Sequence, residues 1–202
     1  MRPRDQEQGR GDVTALERLV TFGDAVVAIA ITLIVLPMVE QAIEAESAAR
    51  FFAANALSLL TAALSFVVVA VIWHAHHRLF ARASGYTPAV IRLELLWLAT
   101  IVFLPVATAL DVLGEADDPL ALGVYIGTIL LSSLLVRVQA LLLERSGLVA
   151  MRVVGFWDRW LGALLMALAL VLAVLFPTVG AFWLLLLLLE GPLLRLIRPR
   201  EG

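Results

Sequence analysis

A carboxylate at the head of a membrane-length apolar run is the first group in this sequence that could do chemistry. Asp24 lies near the start of TFGDAVVAIAITLIVLP, Thr21 to Pro37. An ionisable group inside a bilayer is expensive and marks function by default, whereas an aspartate at the surface can simply cap a helix. Both readings are open on this stretch alone. The second group is WHAHHRLF, Trp73 to Phe80, which holds all three histidines of the chain, His74, His76 and His77. His76 and His77 follow Trp73 by three and four residues, so on a helix indole and imidazole can share a face. Asp24 is then the natural acceptor for Trp73, His76 and His77, with Arg18 as a second charged partner. Two plainer readings compete. His74 and His77 have metal-ligand spacing, but the segment offers no cysteine and no acid to complete a site. Trp73 alone can be an interfacial anchor. A third feature is a stripe: on a helical wheel Phe22, Ala25, Ile29, Leu33 and Leu36 align, Thr32 borders them, and Asp24 points elsewhere. Rings of such side chains from several subunits gate ions by dewetting, although helix packing is the commoner use.

The elements that must position these groups are membrane helices. The 202 residues are 62% hydrophobic and only 16% charged, against roughly 45–50% and 25% in soluble domains. Apolar blocks near the roughly 20 residues that cross a bilayer predict an all-α membrane protein of six spans. They run over residues 22–39, 51–73, 91–110, 120–136, 160–176 and 179–194. Residues 1–17 are expected to be a cytoplasmic tail, disordered over 1–12, and 18–200 a single transmembrane domain. No cleavable leader is expected, because the polar N-terminus runs directly into a full-length span. With no cysteine, disulfides and thiolate metal sites are excluded.

All 15 basic residues are arginines. Arg2, Arg4, Arg10 and Arg18 precede the first span, and Arg78, Arg82 and Arg92 lie between the second and third. Arg145, Arg152 and Arg159 lie between the fourth and fifth, and Arg195, Arg198 and Arg200 follow the sixth. The alternate loops carry Glu40, Glu44, Glu46, Asp111, Glu115, Asp117 and Asp118, with Arg50 the one base among them. The positive-inside rule therefore predicts cytoplasmic termini and an even number of spans. Arg137 is expected to snorkel at the cytoplasmic end of the fourth span. Pro105 should bend the third span, Pro119 should open the fourth after an Asp117-Asp118 turn, and Pro177-Thr178 should close a hairpin of the last two.

Arg18-x-x-x-Phe22-Gly23-Asp24, followed by AVVAIAITLIVLP, WHAHHRLF and FLPVATAL, resembles the prokaryotic branch of the transmembrane-protein-175 family of potassium channels. The first helix there begins R-x-x-x-F-S-D. Gly23 stands here in place of the serine, so one hydroxyl is missing from the polar network implied among Arg18, Asp24, Trp73, His76 and His77, beside Phe22. The resemblance implies a homotetramer in the cell membrane, in contact with lipid and without a nucleic-acid partner. It implies passive conduction of K⁺ in preference to Na⁺ with no bound cofactor. By position, Ile29 is the first constriction, Leu33 and Leu36 are the next rings outward, and Thr32 is the adjoining hydroxyl layer. Asp24 is then the buried brace that holds the pore helix to the second span. Thr178-Val179-Gly180 only superficially echoes a carbonyl filter. The rival reading is a secondary or proton-coupled transporter, disfavoured because no ionisable residue is evident at mid-span and no internal repeat is evident. An enzyme is disfavoured because no nucleophile or metal constellation faces the histidines.

Overall fold

The computed structural model describes residues 3–113, 118–150, 156–190 and 192–193. Among them the protein is all-helical: α1 (Pro3–Leu33), α2 (Leu36–Glu44), α3 (Ala48–Phe80), α4 (Pro88–Leu113), α5 (Pro119–Arg145), α6 (Phe156–Leu175) and a closing 3-10 helix (Pro177–Leu189). The stretches Ala15–Glu44, Ala48–Phe80, Pro88–Val112 and Pro119–Arg145 are each long and apolar enough to cross a membrane, and the shorter Trp160–Leu175 and Pro177–Leu187 follow. The expected loop and tail positions Glu115, Asp117, Arg152, Leu194, Arg195, Arg198 and Arg200 lie outside the described residues.

Two expectations about the N-terminal half are corrected. Of the expected irregular tail over 1–12, residues 3–12 are helical, because helix begins at Pro3, and residues 1 and 2 lie outside the described residues. Once a long apolar helix exists, adding residues to its end avoids the nucleation cost. The first span is also two helices rather than one. A continuous helix would need residue 37 to donate to the Leu33 carbonyl, and Pro37 has no N–H to give. The chain instead tightens, with Val35 N–H donating to the Thr32 carbonyl at 3.3 Å. It then restarts as α2 with Pro37 in the first turn, where a missing donor is harmless.

α4 and α5 form the centre, with α1 and α3 packed on α4, and α6 and the 3-10 helix packed on α5. Trp97, Ile101 and Leu104 of α4 meet Tyr125, Ile126 and Ile129 of α5 in the fully buried core. The Tyr125 hydroxyl lies 2.8 Å from Ser65 Oγ, which itself donates to the Thr61 carbonyl at 2.9 Å, so a polar link joins α3 to α5 inside the core. α3 departs from helical geometry at Asn55. There the side-chain amide donates to the Phe51 carbonyl at 3.0 Å and satisfies an oxygen the kink exposes.

α4 runs through Pro105, at the loss of one backbone bond to the Ile101 carbonyl. α5 opens as anticipated, with Pro119 in its first turn and the Asp118 carboxylate accepting from Leu120 N–H at 2.8 Å. It ends at Arg145, and Gly147, two residues on, takes the positive φ of 69° that suits glycine. Leu148 N–H reaches back to the Leu143 carbonyl at 3.0 Å and closes the C-terminal turn.

Candidate functional site

α1 presents two faces along its apolar length. Gly23, Val27, Ala30 and Ile34 are buried, and Met38 extends this face into α2. The other face carries Phe22, Ala25, Ile29, Thr32 and Leu33, continued by Leu36 of α2, all exposed in the single chain, with Ile29 at 62%. The Thr32 hydroxyl donates to the Ile29 carbonyl at 2.7 Å, which leaves its oxygen lone pairs outward.

Asp24 sits between these faces, and its carboxylate reaches α3. Trp73 Nε1–H donates to Asp24 Oδ1 at 2.7 Å. His77 Nδ1 lies 3.4 Å from Oδ2, close enough for an ion pair when the imidazole is protonated. The Trp73 and His77 rings lie side by side, 5.4 Å apart and inclined by 37°. The structure therefore brings Asp24, Trp73 and His77 together across α1 and α3. The Asp24 side chain is 33% exposed and that of His77 42%, so this is an interfacial brace rather than a buried one. Arg18 is exposed and makes no ion pair with Asp24 among the described residues.

His76 belongs elsewhere. One residue further round α3, it is fully buried and points to α4, where its Nε2 lies 2.7 Å from Glu94 Oε2. The side-chain amide of Gln139, on α5, donates to the same oxygen at 2.9 Å. The imidazole stacks flat on Trp97, with ring centroids 3.8 Å apart and planes at 4°. Side chains from α3, α4 and α5 thus converge on one carboxylate, and Glu94 is 1% exposed. The fourth helix, α1, closes over it at Gly23. A Cβ placed there would come within 3.2 Å of Glu94 Oε1, an oxygen without a hydrogen-bond partner. The position that holds serine in the R-x-x-x-F-S-D pattern therefore faces a buried, half-satisfied carboxylate here.

Sequence reasoning missed Glu94 and Gln139. The signal was present: IRLELLW places one acid just inside the apolar block that begins at Ile91, the kind of intramembrane charge that asks for a partner. Gln139 follows the expected end of the fourth span by three residues, but α5 continues to Arg145. Arg137 does not simply extend to the surface. Its guanidinium lies against Gly162, where an added Cβ would meet it at 3.0 Å and the Glu190 carboxylate at 2.7 Å. No group of three or more metal-ligating side chains occurs among the described residues. His74 stands on an exposed face of α3.

Residues 18–105 match the family model described as the endosomal/lysosomal potassium channel TMEM175. A human protein described as the endosomal/lysosomal proton channel TMEM175 is 31% identical over 127 residues, which are 60% of this chain and 24% of the relative. The chain thus aligns with about a quarter of that protein's length. No solved structure matches the chain. The matched segment holds α1 from Arg18, α2, α3 and most of α4, and with it both polar clusters apart from Gln139. Both matches fall on the N-terminal part of the chain, where this sequence is similar to TMEM175 channels.

Proposed function

We propose, from the similarity of residues 18–105 to the TMEM175 family model, that this protein is a passive, potassium-preferring cation channel whose α1 helices surround a central pore in a homotetramer. The observation that carries this reading is the stripe on α1. Phe22, Ile29 and Leu33 of α1 and Leu36 of α2 stay exposed while the opposite face of α1 is packed into the subunit. An apolar stripe that none of the described residues covers suits either a neighbouring subunit or a dewetted conduit. Ile29 forms the first constriction, Leu33 and Leu36 form the rings beyond it, and the Thr32 oxygen serves a partly dehydrated K⁺ as it passes.

Six spans in the cell membrane with both termini cytoplasmic complete the proposal, with residues 18–200 as the channel domain behind a cytoplasmic N-terminal segment. The closing 3-10 helix is interrupted at Gly180, whose φ of 62° and ψ of -150° are non-helical, so the stretch from Ala181 to Leu189, at about 2.0 Å per residue, covers about 18 Å of the roughly 30 Å hydrocarbon core. The Asp24–Trp73 contact holds the pore helix in rotation, and no bound cofactor takes part.

A proton-coupled carrier is the second reading. It is favoured by the buried His76–Glu94 pair, since buried ionisable pairs in membrane helices mark proton routes, and a human relative is described as a proton channel. Flux into liposomes separates the two. Uncoupled K⁺ flux above Na⁺ flux, with the preference falling toward unity in Ile29→Asn, is the expected result. Absence of flux unless a proton gradient is imposed would favour the carrier. Flux and selectivity that are indifferent to Ile29→Asn would remove that residue from the pathway.

A further inference from the structure

Away from α1, a cavity of about 570 Å³ opens between α3 on one side and α6 with the 3-10 helix on the other, floored by α5. Its walls are the apolar side chains of Val67, Val71, Met166, Leu184 and Leu185. Val67 and Val71 are more than half exposed, so the space is a groove open at the side of the molecule rather than a sealed void. Along α3 it runs from Leu64 to Arg78, and at 1.5 Å per residue that is about 21 Å. This exceeds the roughly 15 Å that half of the hydrocarbon core provides.

The groove is apolar along its length and cationic at one end. Arg78 and Arg137 both line that end, but they are differently placed. Arg137 has the Glu190 carboxylate beside it. Arg78 is exposed and makes no hydrogen bond or ion pair among the described residues. One end therefore offers an uncompensated guanidinium, which suits phosphate by its geometry and charge. The rest offers a channel of acyl length. Basic pockets between membrane helices take anionic headgroups in this way.

We propose that this groove binds an anionic phospholipid, with one acyl chain lying along Val67 and Val71 of α3 and the headgroup phosphate on Arg78. Both ends of the ligand are needed: the apolar walls account for the chain, and Arg78 selects an anionic headgroup over a zwitterionic one.

The test uses the full chain in detergent, with phosphatidylglycerol or phosphatidylcholine of matched acyl length added and bound lipid counted by native mass spectrometry. Wild type is expected to retain phosphatidylglycerol more tightly than phosphatidylcholine. Arg78→Gln should lose about tenfold in phosphatidylglycerol affinity, the scale of one charge-assisted contact, and leave phosphatidylcholine unchanged. Val71→Trp, at a position exposed enough to accept the larger ring, should fill the groove and abolish retention of both. Equal retention of the two lipids in wild type and Arg78→Gln would overturn the headgroup assignment. Retention unaffected by Val71→Trp would place the lipid elsewhere. A Val71→Trp chain that changes oligomeric state without changing lipid retention would show the groove to be a subunit contact and overturn the proposal.

Discussion

Removing the Glu94 carboxylate is the sharpest test of the way the helices are held together. In Glu94→Ala, His76 Nε2 and the Gln139 amide lose the acceptor they share at 2.7 and 2.9 Å, in a site from which water is excluded. A buried donor left unpaired costs about 1–3 kcal/mol, so two such donors give about 2–6 kcal/mol. Hydrogen bonds to a carboxylate lie toward the upper end of that range. Ordinary interhelical hydrogen bonds in a bilayer average only about 0.6 kcal/mol, which for two bonds would be about 1.2 kcal/mol. The full burial of all three side chains favours the larger figure, and a loss of about 3–5 kcal/mol is expected. Reversible unfolding in mixed micelles, followed by circular dichroism, measures it. Glu94→Gln retains an acceptor oxygen in place and should lose about 1 kcal/mol. A Glu94→Ala loss near 1 kcal/mol, or one no larger than that of Glu94→Gln, would refute the idea that this carboxylate is the joint of α3, α4 and α5.

Gly23 offers a test of order rather than size. Helix propensity alone ranks alanine above serine by roughly half a kcal/mol, but a serine hydroxyl at this position could donate to the unpartnered Glu94 Oε1. Gly23→Ser is expected to be more stable than Gly23→Ala in the same unfolding assay, by about 1 kcal/mol, and the opposite order would exclude that bond. A double-mutant cycle of Asp24→Asn and Trp73→Phe should give a coupling of about 1 kcal/mol. It is smaller than at Glu94 because Asp24 is reached by solvent, and a coupling near zero would mean that the 2.7 Å contact does not hold α1. Arg18→Gln should leave that coupling unchanged, since Arg18 does not reach the carboxylate.

Much of this arrangement is legible in the sequence, and the reasons for the rest are local. The Asp24–Trp73 contact could be anticipated because charge alternation puts both residues at the same end of adjacent helices. Which histidine joins them could not: His76 and His77 differ by about 100° on the helix, and only the packing of α3 against both α1 and α4 decides which neighbour each meets. Glu94 is hidden by averaging, since one acid among Ile91, Leu93, Leu95, Leu96 and Trp97 barely dents an apolar block. Its partner Gln139 comes from another helix with no sequence proximity. The break before Leu36 follows from Pro37, a proline that the expected span over 22–39 runs straight through because the residues around it are apolar on both sides. The 3-10 form of the last helix follows from no periodicity in LLLLLL, Leu184 to Leu189, because an unbroken leucine run is apolar at every angle.

The break at Ile34–Val35 turns the first membrane crossing into a rod of two pieces with unequal anchorage. The inner piece is pinned by Asp24 and by Val27, Ala30 and Ile34 in the core, whereas in α2 Met38 is the one buried residue. Torque applied at the far end, near Glu40 or Glu44, therefore reaches a joint with a weakened hydrogen-bond ladder before it reaches Ile29. The angular setting of Ile29 is inherited from α3 and α4, and that of Leu36 is inherited from α2. Side chains that form one continuous stripe on a helical wheel thus belong to two mechanically separate parts, Ile29 and Leu33 to the first and Leu36 to the second.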